Sequence, residues 1–342
     1  MLTDVLGGAA AQAWPAFLLV TGLLLIGAVA DADGLFEGLG AKLAGTPLGS
    51  RGLLLALLGL VAVATAVLNL DTSVVFLTPV LVHAARRRGL DERPFLYGSV
   101  FMANSASLLL PGSNLTNLIV LRDAPGAGAG FAARMAAPWL AACTITGAFI
   151  LLAFPLRARK PECAEPRPLR LGLGAAAALI AAALIVALRN AALPVLMLGL
   201  AAAAVRRLRP RLDARALVLL FALAVALGAL ARLWHAPARL LTSRGQIATV
   251  VIAAFASILV NNLPAAVILS ARPPLHPEAL LLGLDLGPNL AITGSLSAVL
   301  WLQAARAVEA DPSLTTYTRL GFALVPLTIA GALAALWVSP IS

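Results

Sequence analysis

The stretch LNLDTSVVFLTP, Leu68–Pro79, places an amide and a carboxylate between apolar segments. One apolar run, 52–68, precedes its polar core, and a shorter run, 72–84, follows it. As a helix rising about 1.5 Å per residue, the second run is too short to cross a hydrocarbon core of about 30 Å comfortably. The pattern therefore predicts a re-entrant hairpin, 52–84, whose polar tip carries Asn69 and Asp71 into the membrane.

The rest of the chain is equally apolar. Its 342 residues are 61% hydrophobic and 12% charged, and runs of membrane-spanning length recur throughout. These runs lack the alternation of a β-barrel, so the predicted fold class is an all-α integral membrane protein with about ten transmembrane helices. The net charge of +10 comes from arginines between the apolar runs rather than from a basic surface interleaved with aromatic residues, which argues against a nucleic-acid partner.

A second hairpin is predicted over 246–271, where the motif VNNLP, Val260–Pro264, separates two apolar arms. Two long apolar segments, 95–121 and 279–303, are each interrupted by adjacent proline and glycine, which weaken a helix. Each half of the chain, 1–170 and 171–342, thus carries a hairpin followed by a broken helix.

Short sequence matches relate the two halves. NLDTSVV, Asn69–Val75, aligns with NLPAAVI, Asn262–Ile268, and GSNL, Gly112–Leu115, aligns with GPNL, Gly287–Leu290. We therefore expect an inverted repeat within a single membrane domain, the architecture of secondary transporters whose site lies at the repeat interface.

The arginine clusters predict the orientation. Cytoplasmic loops are enriched in Lys and Arg, and an outside N-terminus places the clusters at 86–88, 157–160 and 206–215 inside. The first hairpin then opens to the cytoplasm and the second to the exterior. The expected location is the bacterial cytoplasmic (inner) membrane, crossed many times. The acidic, base-free start of the chain indicates that the first helix is not a cleaved signal peptide.

Polar residues at the hairpin tips and helix breaks are the candidate substrate ligands, because amides, hydroxyls and exposed helix ends collect there. They are Asn69, Thr72, Ser73, Asn104, Ser113, Asn114, Thr116, Asn117, Asn261, Asn262, Asn289, Thr293 and Ser295. Hydroxyls in membrane helices also serve packing, and this alternative stays open for Ser105, Ser107 and Ser295.

Asp71 and Asp285 are the candidates for proton or ion coupling, since a carboxylate within the membrane is costly and usually functional. Asp71 has a structural alternative as the N-cap of the following helix. The histidines and cysteines lack the spacing of a metal site, and no phosphate-binding glycine motif is present. The sequence predicts no metal, no cofactor and no catalytic residue.

The motifs resemble those of the arsenical pump membrane family, the arsenite efflux permeases of the ion transporter superfamily. LGLDLGPNLAITGSLSAVLWLQAAR, Leu282–Arg306, is similar to its GPxL break followed by GSLATLLW, and LVNNLPAAVIL, Leu259–Leu269, to its second hairpin tip. SLLLPGSNLTNLIV, Ser107–Val120, is similar to its first broken helix. The NLDT tip departs from the family's NDG-like tip, which shifts the aspartate by one place.

The resemblance implies proton-driven export of arsenite or antimonite, with membrane lipid around the protein, a cytosolic ATPase subunit in some systems, and a homodimer as one assembly. Arsenous acid is an uncharged trihydroxy solute that Asn, Ser and Thr side chains would bind well. The alternatives are a sodium/proton antiporter, a sodium-coupled dicarboxylate transporter and, more distantly, an intramembrane enzyme.

Overall fold

The computed structural model describes residues 2–121, 129–158, 171–188, 190–208, 218–219, 221–222, 225–227, 229–230 and 236–338. Within these ranges the chain is helical and forms no β-strand, apart from one isolated antiparallel bridge between Leu90 and Ala158. The predicted all-α fold class is confirmed. His235, Cys163 and most of the apolar segment predicted at 215–234 lie outside the described residues.

The α-helices cover most of the apolar runs. They span Leu2–Ala32, Leu35–Ala44, Ser50–Val67, Leu70–Arg87, Arg93–Ala106, Leu115–Val120, Ala129–Ala153, Leu173–Ala187, Ala192–Val205, Ala236–Leu240, Gln246–Val260, Asn262–Leu269, Pro277–Leu286, Leu296–Ala307 and Leu314–Val338. Short 3-10 turns occupy Pro111–Ser113, Gly287–Leu290 and Ile292–Gly294.

Three described helices are long and apolar enough to cross a membrane, at Ser50–Val67, Ala129–Ala153 and Leu314–Val338. Four shorter apolar helical segments accompany them, at Phe17–Ala32, Leu173–Ile185, Ala192–Val205 and Gln246–Val260. Helices suit this environment because each satisfies its own backbone hydrogen bonds in lipid.

We name hairpin A for the paired helices Ser50–Val67 and Leu70–Arg87, which pack against each other. The second arm has 18 residues, so it is longer than the predicted 72–84 and extends about 27 Å. It starts earlier because Asn69 caps it: the Asn69 side chain accepts a hydrogen bond from the Thr72 backbone N–H at 2.6 Å. The N-cap alternative for Asp71 is therefore wrong, and Asp71 lies in the first turn.

We name hairpin B for helices Gln246–Val260 and Asn262–Leu269, whose second arm has only 8 residues. Its tip is Asn261, which holds φ 74° and accepts a hydrogen bond from the Leu263 N–H at 3.3 Å. With ψ 150°, this positive φ is strained for any residue with a Cβ. By cap position the counterpart of Asn69 is thus Asn261, one residue before the Asn262 of the sequence alignment.

We name broken helix A for 93–120 and broken helix B for 277–307. In both, a 3-10 turn leads into an extended capping residue, Asn114 or Ser295, before the second helical piece begins. The structural counterpart of Asn114 is therefore Ser295, rather than the Asn289 of the GSNL and GPNL alignment. The motif GSNL ends the first break, whereas GPNL begins the second, so the shared letters occupy different places in the two breaks.

The two broken helices run antiparallel beside each other. Arg86, at the end of hairpin A, binds Glu92 at the start of broken helix A at 2.5 Å and donates to the Val308 carbonyl just beyond broken helix B at 2.9 Å. Trp301 Nε1 also donates to the Leu96 carbonyl at 2.9 Å. The start of one broken helix and the end of the other therefore share a side of the molecule.

Glycines on helix Leu314–Val338 give a stability prediction. A Cβ at Gly321 would lie 2.0 Å from the Asn289 carbonyl oxygen, whereas one at Gly331 would meet only the flexible end of Ile145, at 2.1 Å. We expect Gly321→Ala to destabilise the protein by about 1–3 kcal/mol, because backbone must shift to admit the methyl group.

Thermal unfolding in detergent measures this effect, and Gly331→Ala is the matched control on the same helix. We expect the unfolding temperature of the control to lie closer to that of the unmodified protein, since the Ile145 side chain can change rotamer. Equal losses in both variants would contradict the prediction.

Candidate functional site

Hairpins A and B and both broken helices meet around one small cavity of about 30 Å³. Each contributes the start of a helix. The lining residues are Leu70, Asp71, Asn114, Leu115, Thr116, Asn261, Asn262, Leu263, Ser295, Leu296 and Ser297. One buried water needs roughly 10–15 Å³ of cavity volume. The cavity therefore suits two or three waters or a solute of similar size.

The cavity is polar without being basic. Asp71, Asn114, Thr116, Asn261, Asn262 and Ser295 are the sequence-predicted candidates that the structure brings together there. None of the described lining residues is Lys, Arg or His. The positive partial charges at this cavity come instead from helix N-termini, whose backbone N–H groups point toward the hairpin tips.

Helix N-termini at this cavity belong to Leu70–Arg87, Asn262–Leu269, Leu296–Ala307 and the shorter Leu115–Val120. Each N-terminus of a regular helix carries roughly half a positive charge. Together they would roughly offset Asp71 and Asp285 when both carboxylates are ionised. A cavity balanced in this way can hold polar cargo without a fixed cation.

Asp285 lies directly behind the lining, at the end of the first piece of broken helix B, and is fully buried. Its Oδ1 accepts hydrogen bonds from Thr116 Oγ1 at 2.6 Å and Asn114 Nδ2 at 2.9 Å. Ser107 is also close enough to interact with the carboxylate, but its hydroxyl donates to the Asn104 carbonyl at 2.8 Å. The other carboxylate oxygen of Asp285, Oδ2, has no hydrogen-bond partner among the described residues.

Asp71 differs from Asp285 because it is only partly buried and faces the cavity. No hydrogen bond to its carboxylate is formed by the described residues. Asn114 and Thr116 donate hydrogen bonds to Asp285 and also line the cavity that Asp71 faces. The two carboxylates are therefore linked through a single short segment of broken helix A.

A second polar contact joins the broken helices. Asn104 Nδ2 donates to Asn289 Oδ1 at 2.8 Å, and both side chains are fully buried. Their remaining amide atoms, Asn104 Oδ1 and Asn289 Nδ2, lack partners among the described residues. Each half of the chain therefore contributes one buried amide to this contact.

Several candidates hold the framework instead of lining the cavity. Ser113 donates to the Ala66 carbonyl at 3.1 Å, and Asn117 Nδ2 donates to the Ser107 and Leu110 carbonyls at 2.8 and 3.1 Å. Thr293 is exposed, and its carbonyl accepts from Asn261 Nδ2 at 3.0 Å. These contacts tie the breaks to hairpin A and hairpin B.

Thr72 and Ser73 are buried in the first turn of hairpin A's second arm, and their hydroxyls lack partners among the described residues. Asn69 Nδ2 and Thr65 Oγ1, near the same tip, are unpaired in the same sense. Buried polar groups are nearly always hydrogen-bonded, so this cluster is suited to water or to a small bound ion. Asn69 itself caps the helix rather than facing the cavity.

Ser297 is a lining residue that sequence reasoning missed. It donates to Ser295 Oγ at 2.9 Å. A repeated triplet of a polar residue, Leu and a hydroxyl residue could have identified it: Asn114-Leu115-Thr116 and Ser295-Leu296-Ser297. The alignment of GSNL with GPNL does not pair these two triplets. Ser105 has a different environment, since its hydroxyl shares a hydrogen bond with Thr146 Oγ1 at 2.7 Å between packed helices. This contact agrees with the packing alternative for Ser105.

These features are typical of a multi-pass secondary transporter of the membrane. The chain belongs to the citrate transporter family (CitMHS), whose sequence model matches residues 2–287. It is similar in structure to the YdaH transporter of Alcanivorax borkumensis, described as having an unusual topology, with a TM-score of 0.59, 16% identity, and coverage of 98% of this chain and 88% of that one. No curated protein matches the sequence significantly.

The likeness to YdaH, at this identity, shows the fold alone. The family match confirms the predicted transporter class and sets the enzyme alternative aside. The family shown is that of the citrate transporters, and the arsenical pump specificity stays a prediction. Arsenite as cargo, the N-terminal orientation, the ATPase subunit and the homodimer stay predictions.

Proposed function

We propose that this protein exports a small, uncharged oxygen-rich acid, with arsenous acid as the leading cargo, in exchange for protons. The charge-balanced cavity without a basic side chain carries this proposal. A neutral trihydroxy solute can exchange hydrogen bonds with Asn, Ser and Thr side chains and with Asp71 without disturbing that balance. Its size suits a cavity of about 30 Å³ better than a tricarboxylate does.

The coupling we propose places the proton on a carboxylate. Protonation of Asp71 or Asp285 would remove one negative charge and convert a hydrogen-bond acceptor into a donor. Cargo that needs the ionised acceptor would then leave, while the proton is carried in the opposite direction as the hairpins change sides. Exchange follows because cargo and proton compete for the same carboxylate.

Everted vesicles with an acidic lumen test this proposal. We expect them to accumulate arsenite against its gradient, and to lose it when a protonophore collapses the pH difference. Vesicles carrying the Asp285→Asn variant are the matched control. Absence of arsenite accumulation in vesicles that contain the folded protein would overturn the proposed cargo.

A citrate-class carboxylate is a second candidate, favoured by the family and by the helix N-termini around the cavity, which suit an anion. For such a cargo, each negative charge would need a proton or Na⁺ on the carboxylates. The carboxylate cargo and the coupling ion would therefore move in the same direction. Citrate uptake into right-side-out vesicles, stimulated by Na⁺ or by external acid, would support this candidate over arsenite export.

A further inference from the structure

A larger cavity of about 390 Å³ lies beside the second arm of hairpin A. One wall is that helix, from Val75 to Arg87, and the opposite wall comprises Asp31 of the first helix with Gly40 and Ala41 of helix Leu35–Ala44. The cavity also contains His83, so titratable side chains line it from both walls. These side chains give the cavity a charged rim, which favours water in it over lipid tails.

Four accessible residues of this arm form one stripe. Asp71, Val75, Pro79 and His83 are each at least partly exposed and lie four residues apart, which places them on one helix face. Val74, Leu77 and Leu81, on the other faces, are fully buried. The stripe runs about 18 Å from His83 to Asp71. It therefore connects the large cavity to the residue that lines the small one.

Pro79 adds a polar group to this stripe. A proline has no N–H, so the carbonyl four residues earlier, that of Val75, loses its helical hydrogen-bond donor. Both residues line the large cavity. A hydrophilic solute or its water shell can bind this carbonyl in the deeper half of the cavity, where the remaining side chains are apolar.

The turn between the two cavities is tightly packed. A Cβ at Gly27 would lie 2.3 Å from Thr72 Cγ2 and 3.3 Å from Phe76 Cε2. The Phe76 ring stacks on Phe36 with centroids 5.6 Å apart and an interplanar angle of 14°. Phe76 thus lines the large cavity within two helical turns of Asp71, at a point where the first helix leaves no spare room.

We propose that the large cavity is an aqueous access vestibule for the hydrophilic cargo and that Phe76 is the gate between this vestibule and Asp71. The proposal rests on the proposed function only in taking Asp71 as part of the transport site. Cargo from the side bearing Arg86 to Arg88 passes His83, follows the stripe and reaches Asp71 when the Phe76 ring swings away from Gly27.

Thiol labelling tests the vestibule without relying on transport. In a background where Cys143 and Cys163 are replaced by Ser, we expect Val75→Cys to react with a charged, membrane-impermeant methanethiosulfonate from one face of the membrane only. Leu77→Cys, on the buried side of the same helix, is the matched control and should stay unreactive. Failure of Val75→Cys to react from either face, with His83→Cys reactive, would overturn the vestibule.

The gate is tested with Phe76→Ala added to Asp71→Cys. We expect thiol labelling at position 71 from the vestibule face to rise at least about tenfold, since a 1.4 kcal/mol change already gives that factor. An unchanged rate would overturn the gate. If labelling follows these expectations but the protein transports no arsenite, the vestibule is supported and only the proposed cargo is rejected. Failure of the vestibule and failure of the proposed function therefore give different results.

Discussion

Replacing Asp285 by Asn is expected to abolish coupled transport while the protein stays folded. The variant keeps an Oδ1 that can accept the bonds from Thr116 and Asn114, but it loses the charge that a proton or ion would neutralise. Loss of a charged partner in a buried site is worth about 3 kcal/mol, which corresponds to a decrease of at least about 100-fold in transport rate at low substrate.

Arsenite flux in everted vesicles measures this loss, and thermal unfolding in detergent measures the fold. Thr116→Val is the matched control, because it removes one hydrogen bond to Asp285 and leaves the charge in place. We expect it to retain a pH-dependent flux, though a reduced one. Coupled transport by Asp285→Asn at the unmodified rate would show that the proton is carried elsewhere.

Replacing Asp71 by Asn is expected to lower transport at least about tenfold with little effect on stability. Asp71 faces the small cavity, accepts no hydrogen bond from the described residues, and leaves the capping of its helix to Asn69. The unfolding free energy should therefore change by less than about 1 kcal/mol, whereas Asn69→Ala, which removes the cap, should cost about 1 kcal/mol.

This pair of variants separates the two roles at the tip of hairpin A. Flux into vesicles and thermal unfolding are measured on both proteins, and Asn69→Ser, which can still cap, is the control for position 69. If Asp71→Asn lowers the unfolding temperature as Asn69→Ala does and leaves flux intact, Asp71 has a structural role and no role in coupling.

The elements of this fold were largely predictable from sequence because they depend on local signals. Helix Gln246–Val260 has the predicted bounds, and the breaks after Ala106 and Leu286 occur where proline and glycine interrupt apolar runs. The bounds of hairpin A were less accurate. Its second arm begins at Leu70 since Asn69 provides the cap, a choice between neighbouring polar residues that composition does not resolve.

The candidate site was predictable only in part. Sequence reasoning named Asp71, Asp285 and Asn114 as candidates, but it did not include Ser297. The burial of Asp285 and its bonds to Thr116 and Asn114 connect residues 169 and 171 positions apart in the chain. No local pattern carries information about partners at such separations.

The sequence by itself determined that this chain is a helical membrane protein and where its helices break, because the length of apolar runs and the conformational limits of proline and glycine are properties of neighbouring residues. Only the tertiary structure decided which polar side chains meet. It placed Asp71 on the cavity, Asp285 behind Asn114 and Thr116, and Phe76 against Gly27, since those positions depend on how separate helices pack.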